Sequence, residues 1–168
     1  MEIQCTKSLL RPWRIDDALS LCKYANNSKV SDNLRDIFPF PYTLKDAEFF
    51  ITNIAANNNN LILAFEIDGH ACGAIGIYPQ ADSKGAELGY WLGEQYWGNG
   101  IATEAVSTIV EYSFNTQTLG RIYASVFERN KASMRVLEKC GFEKEAIHLN
   151  AIIKNNVFVN EHVYARYK

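Results

Sequence analysis

The stretch from Glu87 to Ala105 constrains this chain more than any other: a short apolar run broken by one glycine, then a glycine-punctuated loop, then an apolar helical series. Glu87 to Leu92 reads as a strand interrupted by Gly89. Gly98 and Gly100 punctuate the loop, and Ala102, Ala105, Val106, Ile109 and Val110 recur at the spacing of an amphipathic helix. The first N–H groups of such a helix lack intrahelical partners, and its aligned peptide dipoles leave positive partial charge there, so anions settle at that end. Glycines at 98 and 100 let the backbone curl and let a bulky phosphate come close. The stretch is therefore read as a phosphate cradle.

Two common phosphate motifs are excluded by spacing. No Gly-x-x-x-x-Gly-Lys followed by Ser or Thr occurs in the 168 residues. A dinucleotide fingerprint needs a third glycine where Thr103 stands, and an acidic residue closing a later strand. Gln95 to Gly100 instead reads Gln-x-x-Gly-x-Gly. Downstream, Asn130-Lys-Ala-Ser133 opens a segment that ends in Gly141-Phe142; upstream stand Leu10-Arg-Pro-Trp13 and Asp16-Asp17-Ala18. These three segments, in this order, resemble the GNAT N-acetyltransferases, and the opening resembles the ribosomal-protein N-terminal acetyltransferase (RimJ/RimL-like) branch.

The resemblance implies an α/β (α+β) GNAT-like fold. Residues 1–168 are expected to form one N-acetyltransferase domain around a mixed, mostly antiparallel sheet of about seven strands, flanked by about four helices and splayed at the cofactor strand. It implies acetyl-CoA as cofactor, with the pyrophosphate on Gln95, Trp97, Gly98, Asn99, Gly100, Ile101, Ala102 and Thr103. The pantetheine arm is expected along Tyr90, Trp91 and Leu92, with Asn130 and Ser133 contributing from the second segment. Position 99 often carries a basic residue in the family, and Asn99 supplies no charge; Arg129, Lys131, Arg135 or the helix dipole are the available substitutes.

Transfer of acetyl from a thioester to an amine needs a neutral amine, a polarised carbonyl and a leaving thiolate that can be protonated. The resemblance gives polarisation to a backbone N–H near the bulge, that of Leu92. Glu87 is the first expected general base, with a solvated or salt-bridged strand glutamate as the alternative. Glu161 is the second: it shares strand parity with Val157, Val159 and Val163, so it is either paired or working. His148 is a third. The tyrosine that many members use as acid is Leu137 here, which leaves Ser133, a residue that could equally serve only to order the start of a helix capped by Asn130.

Composition limits the partners. The chain is 48% hydrophobic with a formal net charge of −2 and no run of like charges, so neither nucleic acid nor a membrane surface is expected. Short apolar runs and a Met-Glu-Ile-Gln opening predict neither a spanning helix nor a signal peptide, and a cytoplasmic location. Cys5, Cys22, Cys72 and Cys140 have no metal spacing and are expected as reduced thiols; no metal site is expected.

Along the chain, Ile3 to Leu10 reads as an opening strand closed by Pro12, and Ile15, Ala18, Leu19, Cys22 and Ala25 as one helix face. Phe38-Pro39-Phe40-Pro41 forbids regular structure and is either an acceptor-contacting loop or a rigid connector. Thr43 and Asp46 cap a helix whose buried face is Ala47, Phe50, Ile51 and Ile54. Strands follow at Leu61 to Ile67 and Ala71 to Tyr78 around an Asp68-Gly69 turn, then at Gly85 to Leu92, Arg121 to Phe127, Phe142 to Leu149 and Val157 to Tyr167.

The expected acceptor is a primary amine, foremost a protein or peptide N-terminal α-amine, acetylated directly in a ternary complex. The alternatives are a polyamine or antibiotic amine, served by an acidic cleft from Asp32, Asp36 and Glu48, or a cofactor-binding regulator without turnover. The apolar face of Val157 to Tyr167 permits a homodimer or is core.

Overall fold

Asp68 and Gly69 both take positive φ, 50° and 78°, and turn the strand Leu61–Ile67 (β3) back into His70–Pro79 (β4), as their sequence encodes. A computed structural model describes residues 1–81 and 84–168 of the chain. Before this hairpin come strands β1 (Ile3–Gln4) and β2 (Leu9–Arg11) and helices α1 (Ala18–Ala25), α2 (Ser28–Ser31) and α3 (Leu44–Phe49). After it come β5 (Gly85–Leu92), α4 (Ile101–Thr116), β6 (Arg121–Phe127), α5 (Lys131–Lys139), β7 (Glu143–Lys154) and β8 (Val157–Tyr167). The eight strands form one open sheet in the order β1-β2-β3-β4-β5-β6-β8-β7.

All neighbours are antiparallel except β5 and β6, which are parallel. That pair matches only Gly85 with Arg121, Ala86 with Ile122 and Glu87 with Tyr123. Beyond Glu87, β5 stays with β4 as far as Leu92, while β6 stays with β8 as far as Phe127. A gap opens inside the sheet.

Strand alternation sorts the two faces. Ile75, Ile77, Leu88, Leu92, Ile122, Ala124, Val126 and Tyr164 are buried with the apolar stripe of α4, Ala105, Val106, Ile109 and Val110, and with Met134 and Leu137 of α5. On the opposite face, Ala18, Leu21 and Ala25 of α1 join Ala47 of α3 and Ile51 just beyond it around Tyr42, with Trp91 and Phe38 packed at the rim. Arg11 is buried beneath this layer; its guanidinium is gripped by both Asp17 oxygens, at 2.7 and 2.8 Å, and by Glu66. The Leu10-to-Ala18 motif thus has a structural job.

The structure departs from the sequence reading at several places. The opening strand is two short strands, because Cys5 N bonds to Ser8 O (2.9 Å) and folds Thr6 and Lys7 into a turn. With this break, and with the short helix α2 where no regular pattern is legible, strand and helix numbers exceed the expected seven and four by one each. Ile15 and Leu19 are exposed, since residues 15–17 form a 3-10 turn that rotates the α1 face onto Leu21, Tyr24 and Ala25. Ile54 is exposed as well, where Phe50–Ala55 widens into a π-helical turn. β7 runs on to Lys154 through an irregularity at Asn150, which takes positive φ. Thr43 and Asp46 do form the expected capping box. All four cysteines are free thiols. Among the described residues, no helix is long and apolar enough to cross a membrane.

Candidate active site

Register decides which backbone groups face the gap beside β5. Gly93 N donates to Cys72 O (2.8 Å), so Leu92 and Gly73 form a non-hydrogen-bonded pair, and alternation makes Tyr90 and Ile75 another. The N–H and C=O of Tyr90 and Leu92 therefore point away from β4 and into the gap. Trp97 Nε1 reaches Leu92 O on that side at 2.7 Å. Trp91 differs from its neighbours: its backbone groups serve β4, and its indole packs edge-on to Phe38, 5.6 Å away on the other face.

The chain leaves β5 through a 3-10 turn, Glu94–Tyr96, braced by Asn27 Nδ2 on Glu94 (2.8 Å), by Lys29, and by the Tyr24 and Tyr96 hydroxyls at 3.3 Å. Gln95, Trp97, Gly98, Asn99 and Gly100 follow, all exposed. Gly98 and Gly100 both take φ of 77°, a left-handed conformation costly for other residues. No side chain caps α4, whose first backbone bond is Glu104 N to Gly100 O at 3.0 Å. The N–H groups of Ile101, Ala102 and Thr103 are left without intrahelical partners. A Cβ added at Gly98 meets nothing within 4 Å, and one at Gly100 meets Lys7 Nζ at 3.8 Å. N–H groups without intrahelical partners at the end of a 16-residue helix, behind two left-handed glycines, fit a diphosphate.

Across the gap, Asn130 Oδ1 accepts from Ser133 N (3.1 Å) and caps α5. The Ser133 hydroxyl also meets the Tyr90 hydroxyl at 2.7 Å, with Ser133 O 3.3 Å from the same phenol. Burial raises the Tyr90 phenol well above its ordinary range, so it stays protonated. Ser133 thus orders the helix start and carries a buried hydroxyl contact. Leu137, at the position of the common tyrosine, is fully buried core.

Glu87 lies where the β5–β6 ladder ends, on the face opposite α4. Burial raises its carboxyl above the usual range; nearby Arg35 lowers it and Glu161 raises it. The Tyr78 ring lies across Gly76 and Gly89: a Cβ at Gly76 would fall 2.8 Å from its hydroxyl, and one at Gly89 3.4 Å from its ring. Tyr123, opposite Glu87 in the ladder, also lines an open cleft of about 420 Å³ with Arg121, Ser125, Glu145, His148 and Val163. The cleft lies over β6, β7 and β8, and Tyr123 is the lining residue that neighbours Glu87 in the ladder.

Glu161 is 5% exposed and paired with Arg35 at 2.8 Å, so the salt-bridge alternative accounts for its place in the sheet. Val157 is exposed, because the hairpin tip extends beyond the core, so the expected apolar face holds only at Val163 and, in part, Val159. His148 is exposed on β7, opposite Glu161 in register. Asp36 is taken by Lys154 (2.8 Å), so it is not an unpartnered acidic lining; Asp32 offers its backbone carbonyl to Arg129, and Glu48 is exposed on α3. Sequence reasoning missed Arg35, the placement of Tyr78 and Tyr123 beside Glu87, and the hydroxyl contact of Tyr90. Only Tyr90 left a signal, a phenol on the otherwise apolar face of Leu88 and Leu92.

The split in the sheet thus lies between an uncapped helix end suited to an anion and the Glu87 carboxylate. Residues 7–143 match the model of the acetyltransferase (GNAT) domain. The chain is 32% identical to Bacillus licheniformis "Uncharacterized N-acetyltransferase p20" over 154 residues, 88% of this chain and 85% of that protein. It is 37% identical to Bacillus subtilis "Probable N-acetyltransferase YjcK" over 121 residues, 72% of this chain but 62% of that protein. The structure overlays on RimL, a ribosomal L7/L12 alpha-N-protein acetyltransferase in complex with coenzyme A, with TM-score 0.90 at 18% identity, over 99% of this chain and 98% of that one. The chain belongs to the GNAT acetyltransferase family and is an acyltransferase, and acetyl-CoA is the acyl donor of that family.

Proposed function

We propose that this protein acetylates a primary amine, foremost the N-terminal α-amine of a protein or peptide, using acetyl-CoA in a ternary complex. One observation carries the reading: the half-buried Glu87 carboxylate stands where the sheet splits, with its affinity for protons raised by burial, and its ladder partner Tyr123 lines an open cleft. When bound, acetyl-CoA supplies an activated thioester; the rest of the chemistry falls to the protein's own groups. Tyr90 and Leu92 offer strand-like backbone groups for the pantetheine arm, and Gly98 to Thr103 the donors for the diphosphate.

Glu87 accepts a proton from the incoming ammonium, directly or through water, and its raised proton affinity narrows the gap to the amine. The Leu92 N–H, turned into the gap, is a fixed donor for a carbonyl oxygen. Ser133 holds a proton at its hydroxyl for the departing sulfur, with Tyr90 fixing its direction. Glu161 is held by Arg35, and the pair acts on Glu87 in opposite senses, the arginine lowering its proton affinity and the glutamate raising it. An open cleft along the strands favours an extended peptide over a small amine that would need enclosure. RimL's named activity on a ribosomal protein agrees with this choice.

The test is thiol release from acetyl-CoA against a panel of peptides with free or blocked N-termini, polyamines and aminoglycosides. Release with free N-termini alone is expected. Release with polyamines or aminoglycosides but no peptide overturns the acceptor assignment.

A further inference from the structure

Lys7 lies 92 residues from the glycine loop in sequence, yet its ammonium sits 2.5 Å from Asn99 O. A Cβ built on Gly100 would lie 3.8 Å from the same nitrogen. The turn carrying it is fixed to the first turn of α4. Thr6 N donates to Glu104 Oε1, Lys7 N also bonds that carboxylate, and Cys5 is buried against Thr108, whose Oγ1 lies 3.9 Å from the thiol. Glu104 points its charge into the turn's N–H groups and also attracts the Lys7 ammonium, which lies over the loop. An ammonium carries three donors. Only the contact with Asn99 uses one of them among the described residues.

The loop needs such a group. A diphosphate brings negative charge to a helix end whose only compensation is its dipole, and Asn99 contributes none; its side-chain amide is turned back onto Tyr96 O and Trp97 O, at 3.3 and 3.2 Å. Among the other cations that sequence offers, Arg129 is committed to Asp32 O and lies over the Phe127 ring. Lys131 and Arg135 belong to α5, across the gap.

We infer that Lys7 is the phosphate-binding cation of this cofactor site, brought by the β1–β2 turn to the place where a basic loop residue would stand. Its resting partner, a neutral carbonyl, gives way to the diphosphate of coenzyme A, which lies against the N–H groups that follow Gly100. Glu104 is a positioning residue: it holds the turn, not the cofactor. The inference rests on the cofactor reading of the loop.

Titration calorimetry of the full chain with coenzyme A and with 3′-dephospho-coenzyme A separates the outcomes. The Lys7→Gln variant should weaken both ligands by the same factor, about tenfold, the worth of one charged hydrogen bond. Lys7→Arg should restore most of the loss, and the ligand-free melting temperature of both variants should stay at the wild-type value, since Lys7 is exposed. Unchanged affinity in Lys7→Gln overturns the inference, as does a loss confined to coenzyme A, which would put Lys7 on the 3′-phosphate instead. Failure of the wild-type chain to bind either ligand would instead overturn the reading of the loop itself.

Discussion

Glu87 and Ser133 are fixed by different kinds of neighbour, and their variants should fail differently. Glu87 is held above the ordinary carboxylate range chiefly by burial, so it becomes a base only as pH rises through that raised value. The rate with a peptide acceptor should climb over that window, and Glu87→Gln should lose the limb along with roughly 100-fold or more in kcat, with coenzyme A affinity unchanged. A pH–rate profile beside a binding isotherm checks this; Glu87→Gln at wild-type rate rules Glu87 out. Ser133 keeps its helix-start bond to Asn130 whatever happens to Tyr90, since that bond uses its backbone. Tyr90→Phe removes the phenol's two contacts, with the Ser133 hydroxyl and carbonyl, so kcat should fall about threefold to tenfold with KM for acetyl-CoA held, and Ser133→Ala should fall no further when combined with it. Additive losses would mean that the two hydroxyls act apart.

At the scale of elements, the glycine loop and the Arg11 anchor carry separate loads. Gly98→Ala forces a Cβ into a left-handed residue at a cost of about 1–2 kcal/mol, and it should weaken acetyl-CoA because the strain is relieved by turning the N–H groups; denaturation and calorimetry together read both effects. Arg11 and Asp17 are far from the gap, and removing Asp17 should touch stability alone. Asp17→Ala leaves a buried guanidinium with Glu66 as its remaining carboxylate and should cost about 2–4 kcal/mol. Burial pushes the Asp17 carboxyl up, but the Arg11 hydrogen bonds, the Arg14 N–H and both positive charges outweigh it, so the folded value lies below the unfolded one. Its stabilisation is therefore complete above about pH 4 and is lost as pH falls through the folded value. Acid melts of wild type and Asp17→Ala should converge below that window; parallel curves would contradict the linkage. Much at this scale was legible. Asp68-Gly69, Thr43 with Asp46, Asn130 and Gly141 each encode a local conformation through their own backbone preferences, and the structure has them. Leu19 was misplaced because a 3-10 turn changes the phase of a helix without changing its composition.

For the whole molecule, the gap between β5 and β6 is the organising fact, and it was legible only through likeness to a family. No residue announces that a ladder will stop after Glu87, where β5 goes on with β4 and β6 with β8. Contacts such as Arg35 with Glu161, Tyr90 with Ser133 and Lys7 with Asn99 span 126, 43 and 92 residues, and nothing local to either partner signals them. The topology has a kinetic consequence. In the proposed reaction the cofactor lies at the α4 end and the amine at Glu87, so both substrates are present together. Cys5, Cys72 and Cys140 are buried with thiols raised by burial, poor nucleophiles for a covalent route. The most direct measurement is the initial rate of thiol release with acetyl-CoA and a free-N-terminus peptide varied against each other. Reciprocal plots that intersect are predicted, as direct transfer in a ternary complex requires; parallel lines, the mark of an acetylated enzyme, would contradict the account.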